Sequence, residues 1–415
     1  MAGAACSSDG TPDEIELGIG VTEEPCPDAV NEDNGCIYLG VLSDLTVGPF
    51  AAFGPQLLAG EQAFWQRVNE QGGIGGAFDV NVGEFVRDTE YNPQKHATSY
   101  LEIRGEVLGL SETLGTPPTL AIVNSMIDDD MIGAVSTWWS GWAFQDNILE
   151  AGSNYCVDAM NGVEWAMGEF DVGSVMSIAF PGDYGGDALA GARHAAEALD
   201  LEFLEPLSQV PVAVGGKTSG AIQAILDQEP DLVLLTVGPT EAGEIVGGAG
   251  ARGFQGKFLG NHPTFYPTLM AGRAAPALEA AFHLLGPYQN WAGDTPAHAA
   301  MREAFGEGAP SNDGFTFGWV LSYPMKAALE AAAAAGELNR EGVLAAIDGM
   351  TVDFEGALPD VTYGDPNGSI VRQTTISQPD ADVVDDKLGL NVVEPAFSGT
   401  VAQGFEFTAP CFEID

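Results

Sequence analysis

Residues 37–103 read IYLGVLSDLTVGPFAAFGPQLLAGEQAFWQRVNEQGGIGGAFDVNVGEFVRDTEYNPQKHATSYLEI, and the fold turns on how this stretch is read. It opens with an almost wholly apolar strand over 37–42. A loop follows, with Gly48 and Pro49 at its tip. Phe53, Leu57, Gly60, Phe64 and Val68 then recur at three- or four-residue steps. That spacing makes one apolar stripe and predicts a helix over about 54–70. The helix stops at Gln71-Gly72-Gly73, a glycine C-cap. A second strand over 80–87 leads into Asp88 and Thr89, and Asn92-Pro93 opens another helix. Strands alternating with helices imply a parallel sheet covered by helices.

The ordered set Gly48, Pro49, Ala51, Gly54, Val68, Asn69, Gly72, Gly73, Ile74, Gly76, Asp88, Asn92, Pro93 and Ala97 resembles the N-terminal lobe of type I periplasmic binding proteins. Within that family it is most similar to the branched-chain amino acid (leucine/isoleucine/valine) receptors of ABC importers. The likeness continues, more weakly, to about residue 365. It implies an α/β fold of two doubly wound, Rossmann-like lobes joined by three hinge crossings, closing on a ligand between them. Residues 1–36 read as an acidic tether, 37–156 plus 286–352 as the first lobe, and 157–285 plus 353–415 as the second. The crossings are expected near 153–157, 284–288 and 353–358. No account of residues 375–415 follows from the sequence.

Composition narrows the function. The chain has 415 residues, 45% of them hydrophobic, and a mean hydropathy of +0.06, so a large core is available. Fourteen Lys and Arg stand against 60 Asp and Glu, a net charge of −46. Phosphate repulsion therefore argues against a nucleic-acid partner. No apolar run reaches the roughly 18 residues that a membrane span needs. Residues 1–8, MAGAACSS, resemble the end of a lipoprotein signal peptide, so Cys6 is the expected lipidation site of an extracytoplasmic, lipid-anchored protein. Setting Cys6 aside leaves Cys26, Cys36, Cys156 and Cys411, and an even number in an exported protein suggests two disulfides. Three pairings are possible. The short loop favours Cys26 with Cys36, which leaves Cys156 with Cys411.

No catalytic constellation stands out. A G-x-G-x-x-G occurs at Gly248–Gly253, but it closes a helix instead of opening one after a strand, as nucleotide binding requires. The five histidines are scattered, and Asp128-Asp129-Asp130 lacks the spaced ligands of a calcium loop. Neither a metal nor a cofactor is expected, and no enzyme activity.

The resemblance implies binding residues. Thr113 stands where a hydroxyl meets a ligand carboxylate, with Gly115 and Thr116 offering backbone N–H groups. Trp139 and Ser140 fall on the second ligand-contacting loop, and Phe53 where an aromatic covers the ligand. Tyr184 and Gly238 come from the second lobe. His262 departs from the pattern: it stands about where an acidic residue pairs with an α-ammonium, and Gly238 replaces a common aromatic. A structural role for His262 also stays open. Losing that carboxylate removes a charge-assisted hydrogen bond and speaks against a plain branched-chain amino acid. A small or aromatic carboxylate or amide fits, as does a quaternary ammonium held on Trp faces, and an amino acid stays open. The expected protein is a monomeric solute receptor that hands a small-molecule ligand to the membrane permease of an ABC importer. The alternatives are a ligand-sensing domain of the same fold and an enzyme acting on a small acid or amide.

Overall fold

A computed structural model of the protein describes residues 15–414. Cys6 and the first part of the expected tether lie outside the described residues. Residues 15–36 are not a tether. They carry β1 (Glu16–Leu17) and β2 (Val21–Thr22), the latter antiparallel to the start of β3 (Gly35–Ser43). Asp79 fixes the loop between them, accepting from the Asn31 and Asn34 side-chain amides at 2.8 and 2.9 Å. Cys26 and Cys36 are disulfide-bonded here.

The first sheet has six strands. β3 runs parallel to β4 (Phe78–Asp88) and β5 (Gly109–Leu114), followed by β6 (Gly133–Ser136) and β7 (Ile148–Leu149). Between β3 and β4 runs α1 (Gly54–Glu70), and its Phe53-to-Val68 stripe is buried. Asn92 caps α2 (Pro93–Ile103), accepting from the amides of Gln94 and Lys95 at 3.0 Å each. The short helices α3 (Thr116–Leu120) and α4 (Val123–Asp128) precede β6.

The second sheet has eight strands. Its parallel part comprises β8 (Ser174–Ala179), β9 (Glu202–Phe203), β10 (Leu207–Ser208), β11 (Leu232–Thr236), β12 (Lys257–Asn261) and β13 (Phe282–Gly286). Every residue of β11 is buried, as suits a strand covered on both faces. The helices of this unit are α5 (Tyr155–Glu169), α6 (Asp183–Ala198), α7 (Ser219–Gln228), α8 (Pro239–Gly250) and α9 (Ala275–Ala281). The glycine motif at 248–253 closes α8.

Downstream, α10 (Pro296–Phe305) and α11 (Gly314–Ala335) return to the first unit. α11 crosses α1 at glycines: a Cβ on Gly60 would lie 2.1 Å from the Phe315 carbonyl oxygen, and one on Gly318 would lie 2.0 Å from that of Leu57. Gly60 thus occupies the apolar stripe because backbone, not a side chain, fills the space beside it. β14 (Glu337–Leu338) pairs with β1, and β15 (Thr351–Val352) with β16 (Val361–Thr362). The tail adds two antiparallel strands beside β13, β17 (Thr374–Pro379) and β18 (Leu390–Phe397). Beyond them Cys411 is disulfide-bonded to Cys156.

The segments between the units lie side by side. The Ser153 amide donates to the Pro287 carbonyl at 2.9 Å, and the Gln289 amide to Ala357 at 3.2 Å. Tyr363 donates to the carbonyl of Glu150. The return crossing begins at Pro287 and not Leu284, because β13 extends through Gly286. No helix among the described residues is long and apolar enough to cross a membrane.

Candidate functional site

Seven parallel strands end facing the gap between the sheets, where ligands of open α/β sheets sit. The loops after β3, β4, β5 and β6 supply Phe50, Tyr91, Gly115 and Trp138. Those after β8, β11 and β12 supply Phe180, Gly238 and His262. Together with Phe53, Tyr155, Asp183, Tyr184 and Tyr266 they enclose a cavity of about 400 Å³. The loop after β3 is held in shape by Asp44, whose carboxylate accepts from the amides of Gly48 and Phe50 at 2.9 and 2.7 Å.

Aromatic rings form most of the wall. Trp138 anchors one end, its indole N–H donating to the Ala151 carbonyl at 3.0 Å. Its ring lies 5.1 Å from His262, and Phe53 lies 5.9 Å from the same imidazole. Tyr155 lies edge-on to Trp138 at 6.1 Å and 4.8 Å from Tyr184, and Phe50 and Tyr91 are 4.9 Å apart. The Tyr184 hydroxyl is engaged behind its ring, donating to the Asn261 carbonyl at 2.8 Å. Gly115 has φ +91°, and a Cβ there would lie 2.2 Å from the Tyr91 ring. Glycine is therefore required both by the backbone and by Tyr91.

Polar groups are few. Burial holds the His262 imidazole neutral, with its pKa lowered to about 3, and its Nδ1 has no protein partner. The Ser136 hydroxyl is likewise unpartnered. Thr137 meets the Thr116 hydroxyl at 3.0 Å. Burial raises the Asp183 carboxyl, against the pull of the Thr116 hydroxyl and the amides of Asp183 and Tyr184. No lining residue is Lys or Arg.

Of the residues singled out in the sequence, Phe53, Gly115, Tyr184, Gly238 and His262 line this cavity. Thr113, Thr116, Trp139 and Ser140 do not. Thr113 is still within β5, and its hydroxyl is buried against His96 Nε2 at 2.9 Å and Thr119 at 2.8 Å. Thr116 turns its hydroxyl to Thr137. Trp139 points away from the gap, edge-on to Trp142 at 5.3 Å, with its N–H donating to the Phe412 carbonyl at 2.8 Å. Ser140 donates to Asp187 through its amide at 2.9 Å and its hydroxyl at 2.6 Å, and accepts from the Cys411 amide at 2.8 Å. It joins the two units directly. Lining residues outside the set named from the sequence include Tyr91, Trp138, Tyr155, Tyr266 and Asp183. Trp138 and Trp139 lie two and three residues beyond β6, and of the two only Trp138 lines the cavity.

Residues 37–383 match a family model described as periplasmic binding protein. A search of curated protein sequences returns no match. Among solved structures, a fatty acid ABC transporter substrate-binding protein from Thermomonospora curvata is 29% identical, with a TM-score of 0.82 over 95% of this chain and 97% of that one. A branched-chain amino acid ABC transporter protein from Thermus thermophilus, with bound valine, is 17% identical (TM-score 0.74, covering 89% and 98%). A leucine binding protein from Thermotoga maritima is 16% identical (TM-score 0.67, covering 87% and 99%). These last two share the fold.

Proposed function

Because the chain belongs to the periplasmic binding protein family, we propose that it is the extracytoplasmic solute receptor of an ABC importer, closing two lobes over a small organic ligand. The aromatic cavity between the two sheets carries this reading. The moving bodies are 15–156 plus 287–352 and 157–286 plus 353–414, with the three adjoining crossings as the hinge. The ligand's apolar body packs on Phe53, Trp138, Tyr155 and Tyr184. Its polar end packs beside Ser136 and His262, whose hydroxyl and Nδ1 are buried without a protein partner. The solutes named for the relatives, a fatty acid and valine, also pair an apolar body with a polar end. Lipidation at Cys6 would hold the receptor beside its permease.

The test is a thermal-shift panel of amino acids, fatty acids, amides and organic ammonium compounds, followed by small-angle scattering on every hit. A ligand at about 100 times its Kd stabilises by about 2.7 kcal/mol, and closure lowers the radius of gyration. A stabilising ligand that leaves the radius unchanged, or that is consumed, would sink the proposal.

A further inference from the structure

The charge of the cavity says which polar end it takes. Resting on the receptor reading, we infer that the cavity selects a small organic cation with an apolar body, and that Asp183 is its counter-ion.

The first observation is what the wall lacks: no lysine or arginine faces the cavity. An anionic ligand would have to be held by neutral donors alone, beside a carboxylate, in a protein of net charge −46. Two of the hydroxyls nearest by chain position cannot help. Thr113 is engaged by His96 and Thr119, and Ser140 by Asp187 and the Cys411 amide. The amides that open α6 already face the Asp183 carboxylate.

The second observation is what the wall contains. Asp183 lines the cavity together with Phe50, Tyr91, Tyr155 and Tyr184. Its charge reaches Tyr91 and Tyr155, and the Asp44 charge reaches Tyr91 and Tyr266. Ring faces attract a cation within about 6 Å of their centroids, more strongly where water is excluded. A carboxylate on such an aromatic wall fixes the charged group beside it, and the apolar remainder packs on the rings, Phe53 and Trp138 included. The protein's overall negative field adds to the cation's local concentration.

The experiment is isothermal titration of the full chain with choline, benzyltrimethylammonium and phenethylammonium as cations. The neutral isostere of choline, 3,3-dimethylbutan-1-ol, and octanoate and leucine serve as comparators. At least one cation is expected to bind about tenfold or more tighter than the neutral isostere and octanoate, a gap of about 1.4 kcal/mol. Its affinity should fall as salt rises. Asp183→Asn is expected to weaken the cation by about tenfold or more and to admit octanoate. Since Asp183 also stabilises the start of α6, the cation–isostere comparison and the salt series on the unmodified protein carry the test should that variant misfold. Silence of all three cations, or an isostere as tight as choline with the other cations silent, overturns the inference. If octanoate or leucine then binds and compacts the protein, the receptor reading stands and the cation alone is wrong. If nothing compacts it, both fall.

Discussion

Trp138 and Trp139 are consecutive, yet they serve two unlike contacts between the lobes. Trp138 faces a cavity walled by rings, where Ser136 and His262 keep polar atoms without partners. Trp139 belongs to a polar contact a few ångströms of chain away, where Ser140, Asp187, Cys411 and Phe412 satisfy one another. An unpartnered buried polar atom costs roughly 1–3 kcal/mol unless something binds it. The cavity therefore gains from a ligand. The polar contact needs none and acts to align the lobes. The hydroxyl of Ser140, which the family likeness assigns to the ligand, has been taken over by the aligning contact.

The largest effect should come from breaking the polar contact at its covalent end. The Cys156–Cys411 bond spans 255 residues of chain. Replacing both cysteines by serine should lower stability by about 2–5 kcal/mol. Amide exchange should rise at Ser140 and along the first turn of α6. A melting point that falls while Ser140 exchange stays unchanged would separate the disulfide from the lobe contact and break the comparison.

A smaller effect with the opposite signature is expected from Gly115→Ala. The positive φ costs on the order of 1–3 kcal/mol for a side-chain-bearing residue, and the new methyl displaces the Tyr91 ring. Ligand response in the thermal-shift panel should weaken by about tenfold, near 1.4 kcal/mol, with exchange at Ser140 unaltered. Equal loss of Ser140 protection would mean that cavity and contact are one unit.

The smallest effect, per pH unit, is in titration, where the two regions respond in opposite directions. Burial lifts Asp187 to about 7, against the pull of the Ser140 hydroxyl and amide. Its folded value lies above its unfolded one, so its contribution is complete at acid pH and is lost as pH rises through about 7. His262 is depressed to about 3, so its contribution is present above its unfolded value near 6.5 and is lost as pH falls below it. Each group can change the slope by at most about 1.4 kcal/mol per pH unit. Between about pH 4 and 6.5 the two contributions overlap and oppose, so Asp187→Asn should make the slope of the stability–pH curve there more positive and His262→Gln less positive. Other buried groups, such as Glu61, raised by burial, and His96, lowered to about 3, act in the same window. If either substitution moved the slope the other way, the assignment of charge to region would be wrong.

Much of this was written along the chain. Periodic apolar positions set α1, and Asn92 set the start of α2, because those signals act within one or two turns. The run of strand-end loops foretold where a cavity would open, since parallel strands place their carboxyl ends together. The short Cys26–Cys36 loop favoured its own pairing. Tertiary structure decided what local signals could not carry. Whether Trp138 or Trp139 enters the cavity depends on distant partners, Ala151 and His262 for the first and Phe412 and Trp142 for the second. Thr113 loses its place at the ligand to His96, and Ser140 to Asp187, through partners that lie far from them in sequence or across a helix turn. Within residues 15–36, β2 joins the first sheet and β1 pairs with β14 apart from it, while β17 and β18 extend the second sheet beside β13. Local patterns record what a segment buries. Only the assembled lobes determine which polar groups find partners and which are left for a ligand.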